Sequence, residues 1–442
     1  MADSTTPPPP QPASSGAGAT PKPPVQNPAL RMLGLPNLPR KLPSRNWMIF
    51  WAVTGAITVA ISYDRREKRR ATAKWRRAVA PLAEERLASP SQLPRKLTVY
   101  LEAPPGDSLR AAQDHFIEYA KPVLASSGLD WEFVQGRQQG DVRAVVAENI
   151  RRRRSAVEEP GKDLSVTDDT IIEDIRNKSQ LPQHHGVRGD IVVGRHTWKE
   201  YVRGLHEGWL GPLDPPPEPI PEVSASVVED GKPKDESGTE EASKKEARAE
   251  EKPKRPPQPR PHNSPEDYST ASLPSHAPSE FTPASVIPFP HRLGIRHTFV
   301  RLNWFFNRRR FADDIGREVA AACFAASREF READGQFEQQ LLLKDEEPGW
   351  PKSVWKDEPD PEQVVPKEKI WASEIVVDPR VARAMRRFEV RSEDEEKVNS
   401  ISIPEEELEG WIKRNGRSLW RWAARSMEPK HQGPKVGNLE DD

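Results

Sequence analysis

Apolar positions along this chain fall into three textures. The first is an unbroken block: "RNWMIFWAVTGAITVAISYDRREKRR" sets seventeen uncharged residues, Trp47 to Tyr63, between basic residues at both ends. As a helix rising 1.5 Å per residue the block reaches ~26 Å, slightly short of the ~30 Å hydrocarbon slab, and snorkelling flanks can close that gap. The pattern predicts a single membrane-spanning helix over 45–64, with Trp47, Trp51 and Tyr63 as interfacial aromatics. Arg45 on one side, and Arg65, Arg66, Lys68, Arg69 and Arg70 on the other, supply the basic membrane-interface flanks. Ala52, Gly55, Ala56 and Ala60 recur at helical spacing. They form a small-residue face on which another membrane helix can pack, and Thr54 and Thr58 can add interhelical hydrogen bonds.

The second texture is periodic. Residues 65–94 read as a basic juxtamembrane helix with Trp75 and Val79 on a lipid-facing side. "KLTVYLEA" alternates as a strand and "PPGDS" turns. The helix over 108–127 then places Leu109, Ala112, Phe116, Tyr119 and Val123 on one face, with a late kink at Pro122. "LDWEFVQG" is a second strand, after which Asp141 caps a helix carrying Val142, Val145, Val146 and Ile150 before the run Arg151 to Arg154. A loop or small helical insertion runs to Pro182, and "GDIVVGRHTWKEYVRGLHEGWLG" reads strand, turn, helix. This βαβα order predicts a parallel pair with a right-handed crossover, making 95–211 the first part of an α/β domain.

The third texture is polar and proline-rich. It covers an N-terminal segment, 1–44, and a linker, 212–290, whose eighteen prolines and mixed charges cannot bury enough to order themselves. Both are expected to be disordered. The domain resumes over 291–390, where Ile315, Val319, Ala322 and Cys323 mark an amphipathic helix. There "EKIWASEIVVDPRVARAMRRFEV" returns a strand and a short helix to the first part. Residues 391–442 add an acidic segment and an amphipathic helix bearing Trp411, Trp420 and Trp422, an element suited to a membrane surface, a docking partner or ordinary packing.

Composition narrows the chemistry. With 67 basic against 68 acidic residues, no global field recruits nucleic acid, so Arg151 to Arg154 and Arg308 to Arg310 read as solvated faces or contacts with anionic phospholipid. The lone cysteine, Cys323, excludes an intrachain disulfide or a cysteine-rich zinc site. His184 and His185 are adjacent and diverge, so no metal ligation is expected from them. No G-x-S-x-G turn, Walker loop or dinucleotide glycine fingerprint occurs, so no catalytic residue, cofactor or metal site is expected. From Thr5 to Tyr63 there is no Asp or Glu. That fits a mitochondrial address, although twelve prolines before Ser44 forbid a long amphipathic presequence helix. Eight basic residues between Arg65 and Arg77 outnumber the four in the twenty positions before the block. A positive-inside count therefore puts the C-terminal part on the inner side.

Two resemblances add to this reading. "KLTVYLEAPPGDS", "SGLDWEFVQGRQQGD" and "DIVVGRHTWKEYVRGLHEG", in that order, resemble the amino-terminal half of diacylglycerol-kinase-type lipid kinases. The turns that would hold phosphate are here Ala103, Pro104, Pro105, Gly106 and Gly194, Arg195, His196, Thr197, followed by Glu200 and Gly204, and the metal-binding Asp is absent. The likeness implies a degenerate lobe of that type. It keeps open an alternative function as a membrane-bound lipid kinase-like or lipid-handling protein.

The strings "NPALRMLGLPNLPRKLPSRNWMIFW", "DRREKRRATAKW", "DHFIEYAKPVL" and "GDIVVGRHTWKEYVRGLHEGWLGPL" are similar to the fungal Tim fifty-four family over most of Asn27 to Pro212 and, in patches, His291 to Phe388. That resemblance implies a single-pass protein of the mitochondrial inner membrane with its large C-terminal domain in the intermembrane space. It implies a non-enzymatic role in the carrier translocase, supporting the complex that inserts multispanning proteins. The implied partners are the channel-forming subunit, small intermembrane-space chaperones and, indirectly, hydrophobic carrier precursors. This topology opposes the charge count, and a basic helix lying on the anionic outer face of the inner membrane reconciles them.

Overall fold

The computed structural model describes residues 44–86, 92–161, 168–181, 187–216, 258–334, 336–356, 367–408 and 410–427. The expected disorder of 1–44, apart from Ser44, and of most of 212–257 lies outside the described residues. The chain divides into two compact units, Met1–Val59 and Ala60–Asp442. Helix α1, Arg45–Ala83, begins in the first unit and ends in the second. The helical texture thus runs past the apolar block to Ala83, through the whole basic segment up to that point.

In the second unit, β1 (Lys96–Glu102) leads into α2 (Leu109–His115), one wide π-type turn (Phe116–Ala120) and α3 (Lys121–Ser127). The expected helix over 108–127 is therefore interrupted upstream of Pro122, which sits in the first turn of α3, where its missing N–H costs nothing. Strand β2 (Asp130–Gly136), α4 (Asp141–Glu158) and α5 (Asp168–Lys178) follow, then β3 (Gly189–Val193) and α6 (Arg195–Leu210). Strand β4 (Ala284–Ile287), α7 (Thr298–Phe306) and α8 (Arg308–Phe324) come next. Beyond them lie β5 (Ser327–Glu329), a hairpin of β6 (Glu332–Ala333) with β7 (Gln336–Phe337), and α9 (Glu338–Leu341). The chain continues with α10 (Pro379–Ala384), β8 (Arg386–Phe388), α11 (Ser392–Ser400), α12 (Glu405–Leu408) and α13 (Trp411–Met427).

Six strands form one sheet in the order β2-β1-β3-β4-β8-β5, parallel from β2 through β8 and closed by antiparallel β5. The expected parallel pair is the β1–β2 edge, where Lys96 faces Asp130 and Glu102 faces Gly136. Side chains alternate across the sheet because the strand period is two. Leu97, Val99, Leu101, Ile191 and Val193 enter one core with Phe116, Val123, Ile315 and Val319, while Tyr100, Val192 and Val286 enter a second with Val142, Val146, Trp198 and Tyr201. Helices thus cover both faces, the condition under which parallel strands read as near-continuous apolar runs.

Two boundaries differ from the sequence reading. The expected unstructured linker over 212–290 ends by Gln258, because 258–290 contributes buried Tyr268 and Phe281 and all of β4, which lies inside the sheet. Proline density hid a strand only four residues long, flanked by Pro283 and Pro288. Asp141 opens α4 at its first helical position rather than capping it. Gly140 at φ 97° is the cap, and the Asp141 carboxylate accepts from the N–H groups of Arg137 and Gln138 at 2.9 and 3.1 Å.

Candidate functional site

The apolar block is exposed throughout its described part in the first unit. Trp47, Phe50 and Trp51 cluster ring on ring at 5.6–6.3 Å, and Trp47 and Trp51 are 56% and 61% exposed. Ala52, Gly55 and Ala56 are exposed there, as is Ala60 at the start of the second unit, and a Cβ placed on Gly55 would meet nothing within 4 Å. Thr58 turns inward on its own helix, its hydroxyl donating to the Thr54 carbonyl at 2.8 Å. One helix among the described residues, α1, is long and apolar enough to cross a membrane. Arg45 and Tyr63 are exposed at its two edges.

The basic half of α1 is docked on the domain. Trp75 and Val79, expected to face lipid, are buried in the first core, 4% and 0% exposed. The Trp75 indole N–H donates to Asp313 Oδ1 at 2.7 Å, and its ring lies where a side chain on Gly316 would stand, so only glycine at that position of α8 admits it. The end of α1 packs as closely on Gly128, where a Cβ would come within 2.9 Å of Ala83 Cβ. A helical period explains both roles: the apolar positions Trp75 and Val79 line one stripe, while the arginines and lysines around them remain on the outer arc. Around that stripe Lys68 pairs with Glu118 and lies over the Tyr119 ring, Arg66 meets Glu405 at 2.9 Å and Arg77 meets Glu407 at 2.7 Å. Lys74 reaches Asn399 at 3.0 Å. Arg65, Arg69 and Arg70 remain exposed, and Arg70 pairs along the helix with Glu67 at 3.6 Å.

At the C-terminal edge of a parallel sheet, helix N-termini offer unpaired N–H groups where phosphate commonly binds. Here two of these turns are filled by the chain's own carboxylates. Glu346 accepts from the backbone N–H of Arg195 at 2.9 Å and of Phe289 at 2.6 Å, at the start of α6. Glu200 accepts from the N–H of Gly140, Val142 and Arg143 at 2.6–3.2 Å, at the start of α4, and from the Trp371 indole at 3.1 Å. Burial pushes Glu346 up to about 7 despite those two donors, and raises Glu200 as well. Glu102, at the end of β1, is fully buried and raised well above the usual carboxylate range, first by burial and then by the neighbouring Glu200 charge.

The other residues of the turn and helix from Gly194 to Gly204 serve packing. Gly204 lets α6 approach α4, since a Cβ there would lie 2.7 Å from the Arg143 carbonyl oxygen and 2.8 Å from Val146. Gly194, at φ 86°, holds a backbone turn that other residues strain to adopt. The Arg195 guanidinium donates to Glu347 and to the Leu342 and Gln340 carbonyls at 2.7–2.9 Å. Buried His196 lies at 3.1 Å from the Glu102 carbonyl oxygen.

Sequence reasoning missed the charged grip on α6, whose residues are all buried. Arg143 and Glu207 form a wholly buried ion pair, Arg151 joins Glu207 at 2.9 Å, and Arg203 binds Glu368 at 2.7 Å, Asn263 Oδ1 at 2.8 Å and the Tyr268 hydroxyl at 2.9 Å. Their α6 members sit at 3.6-residue spacing on a helix that looks half-exposed in sequence. The only signal was that Arg203 and Glu207 share a face.

The family profile described as "Inner membrane protein import complex subunit Tim54" matches residues 27–388. The chain belongs to the Tim54 family. It is 53% identical to the mitochondrial import inner membrane translocase subunit tim54 of Neurospora crassa, across 90% of this chain and 88% of that protein. The Aspergillus oryzae protein of the same name is 39% identical across 92% of this chain and all of its own length. The Saccharomyces cerevisiae TIM54 subunit is 28% identical across 85% of this chain and 96% of its own. The Tim54 match spans the apolar block, the docked half of α1, the sheet and both carboxylate-filled turns, and ends at the last residue of β8.

Proposed function

We propose that this protein is a non-enzymatic, single-pass subunit of the mitochondrial inner-membrane carrier translocase. In this reading it supports the assembly and stability of the complex that inserts multispanning proteins, with its large C-terminal domain in the intermembrane space. One observation carries the reading: a single helix joins an exposed apolar block to a basic half that is locked into the core of the domain through Trp75 and Val79. The small-residue face of Ala52, Gly55, Ala56 and Ala60 is the contact offered to the channel-forming subunit, because close backbone approach is what drives helix association in lipid. The domain surface is offered to the small chaperones that deliver hydrophobic carrier precursors, and the exposed arginines flanking the block to anionic phospholipid. Glu346 and Glu200 favour this reading over a lipid kinase, since a nucleotide phosphate entering either turn would have to displace a buried carboxylate.

Protease treatment of intact and outer-membrane-ruptured mitochondria tests compartment, orientation and anchoring together. The expected result is protection of the domain in intact organelles, digestion after rupture, and retention in the pellet after carbonate. A domain protected in both preparations would place it in the matrix and overturn the orientation.

A further inference from the structure

The chain has a second apolar surface that the core does not use, on α7 and the turn before it. Ile295, Phe299 and Leu302 stand at i, i+4 and i+7 and are 91%, 83% and 48% exposed. Three large apolar side chains on one helical stripe are costly to leave in water and mark a contact surface. On the other side of the segment the contacts are local: the Trp304 ring meets Phe311 edge-on at 6.0 Å, Arg292 lies over Trp304 at 5.3 Å and Arg308 over Phe305 at 4.8 Å.

Two further observations say what covers it. From His291 to Ala312 the chain has six arginines and no Asp or Glu, a balance that suits anionic headgroups. The segment is also tied to the point where α1 leaves its apolar block. The Arg309 N–H donates to Asp64 Oδ1 at 3.3 Å, the Arg309 guanidinium lies 5.2 Å from the Tyr63 ring centre, and Arg308 approaches Glu118 at 3.6 Å. Tyr63 is the last residue of that block. The first turn of α8, directly after α7, therefore adjoins α1 where it leaves its apolar block.

We infer that α7 and its preceding turn are a second, in-plane membrane contact, with Ile295, Phe299 and Leu302 seated at the headgroup–acyl boundary of an anionic bilayer and the flanking arginines on its phosphates. An amphipathic helix lying in the interface buries one face in this manner. Two contacts, a crossing helix and an in-plane one, would fix the tilt of the domain over the membrane, which a single span leaves free. The inference rests on the reading of α1 as a membrane span and goes beyond it.

The test uses the full-length protein in cardiolipin-containing vesicles, with an environment-sensitive fluorophore on a single introduced thiol, Phe299→Cys or, for the span, Ile57→Cys. Cys323 needs no replacement, being buried with its thiol pushed up to about 11. At position 299 the expected result is blue-shifted emission, quenched most by lipids spin-labelled near the headgroup. That quenching should fall several-fold in vesicles of phosphatidylcholine alone, whereas at 57 deep-labelled lipids quench in both. A water-like probe at 299 with a quenched probe at 57 overturns the inference and leaves the anchor standing. Water-like probes at both positions overturn the anchor and the inference together. A blue-shifted probe at 299 that no labelled lipid quenches would put protein on this face and also overturn it.

Discussion

Glycine and histidine set the tolerances of this fold at the residue scale. Gly316 is glycine because the Trp75 indole occupies the volume of its missing side chain. Gly316→Val is expected to expel the indole and break its hydrogen bond to Asp313, destabilising the domain by about 2–3 kcal/mol, as overpacking a tight core contact does; chemical denaturation of the detergent-solubilised protein measures it. His206 is buried with Nδ1 2.7 Å from the Val202 carbonyl oxygen, while Nε2 accepts from the Asp378 N–H at 3.0 Å. Burial, aided by the Arg203 charge, lowers it to about 4, against 6.5 for a free histidine. A depressed histidine contributes stability that is whole above its unfolded value and is lost as pH falls from 6.5 towards 4. The stability advantage of the native protein over His206→Asn is therefore expected to shrink across that window, on the order of 1 kcal/mol per pH unit, in parallel denaturation series at pH 7 and pH 5. Asp190 and Glu346, each raised to about 7, act in the opposite sense, while His115 and His196, also lowered by burial to about 4, act in the same sense as His206, which is why the comparison is made against the single variant.

Among the elements, α1 and α6 carry the organisation. One helix is apolar and exposed in its first half and docked in its second, so the same 3.6-residue period serves two surroundings. Removing the docking stripe separates those roles. Trp75→Ala with Val79→Ala is expected to leave the protein in the carbonate pellet. The pair should also open residues 60–83 to protease and lower domain stability by roughly 4–6 kcal/mol, the sum of two large-to-small core losses. Limited proteolysis with mass spectrometry distinguishes this from loss of the anchor. Helix α6, in turn, is buried on every side. Its cations are satisfied by partners that arrive from far along the chain, Glu347 beside Arg195 and Lys199 and Glu368 beside Arg203. Locally its sequence has an amphipathic pattern, and what hid its burial is that the covering segments carry matching charges instead of apolar residues.

For the whole molecule, the small-residue face tests whether the span is a contact or only an anchor. Gly55→Leu with Ala56→Leu adds bulk where the described structure has no neighbour, so the domain is expected to fold unchanged. Native gels of solubilised mitochondria should then show the assembled translocase reduced several-fold while the free subunit stays membrane-embedded. An undiminished complex would leave the face a lipid-facing surface. Membership of the Tim54 family and the presence of an apolar block, a basic helix and an α/β sheet were legible in the chain, because long apolar runs, alternation and family strings are local features. The fate of the basic helix was not, since Trp75 and Val79 fit a lipid face and a protein core equally well until α8 supplies Gly316 and Asp313. Strand β4 was hidden for a related reason: four residues between prolines become a strand only when β3 and β8 flank them.

By itself the sequence determined where the chain is apolar without interruption, which stretches alternate, and that no familiar reaction centre is written into its motifs. Those properties depend on neighbours a few positions apart. Only the tertiary structure decided that the basic helix grips the domain, that Glu346 and Glu200 fill the helix ends where phosphate would sit, and that Phe299 is left bare while Arg309 meets α1 where it leaves its apolar block. Each of these joins residues separated by tens to hundreds of positions, and burial or exposure at that range is set by which surfaces the fold brings together.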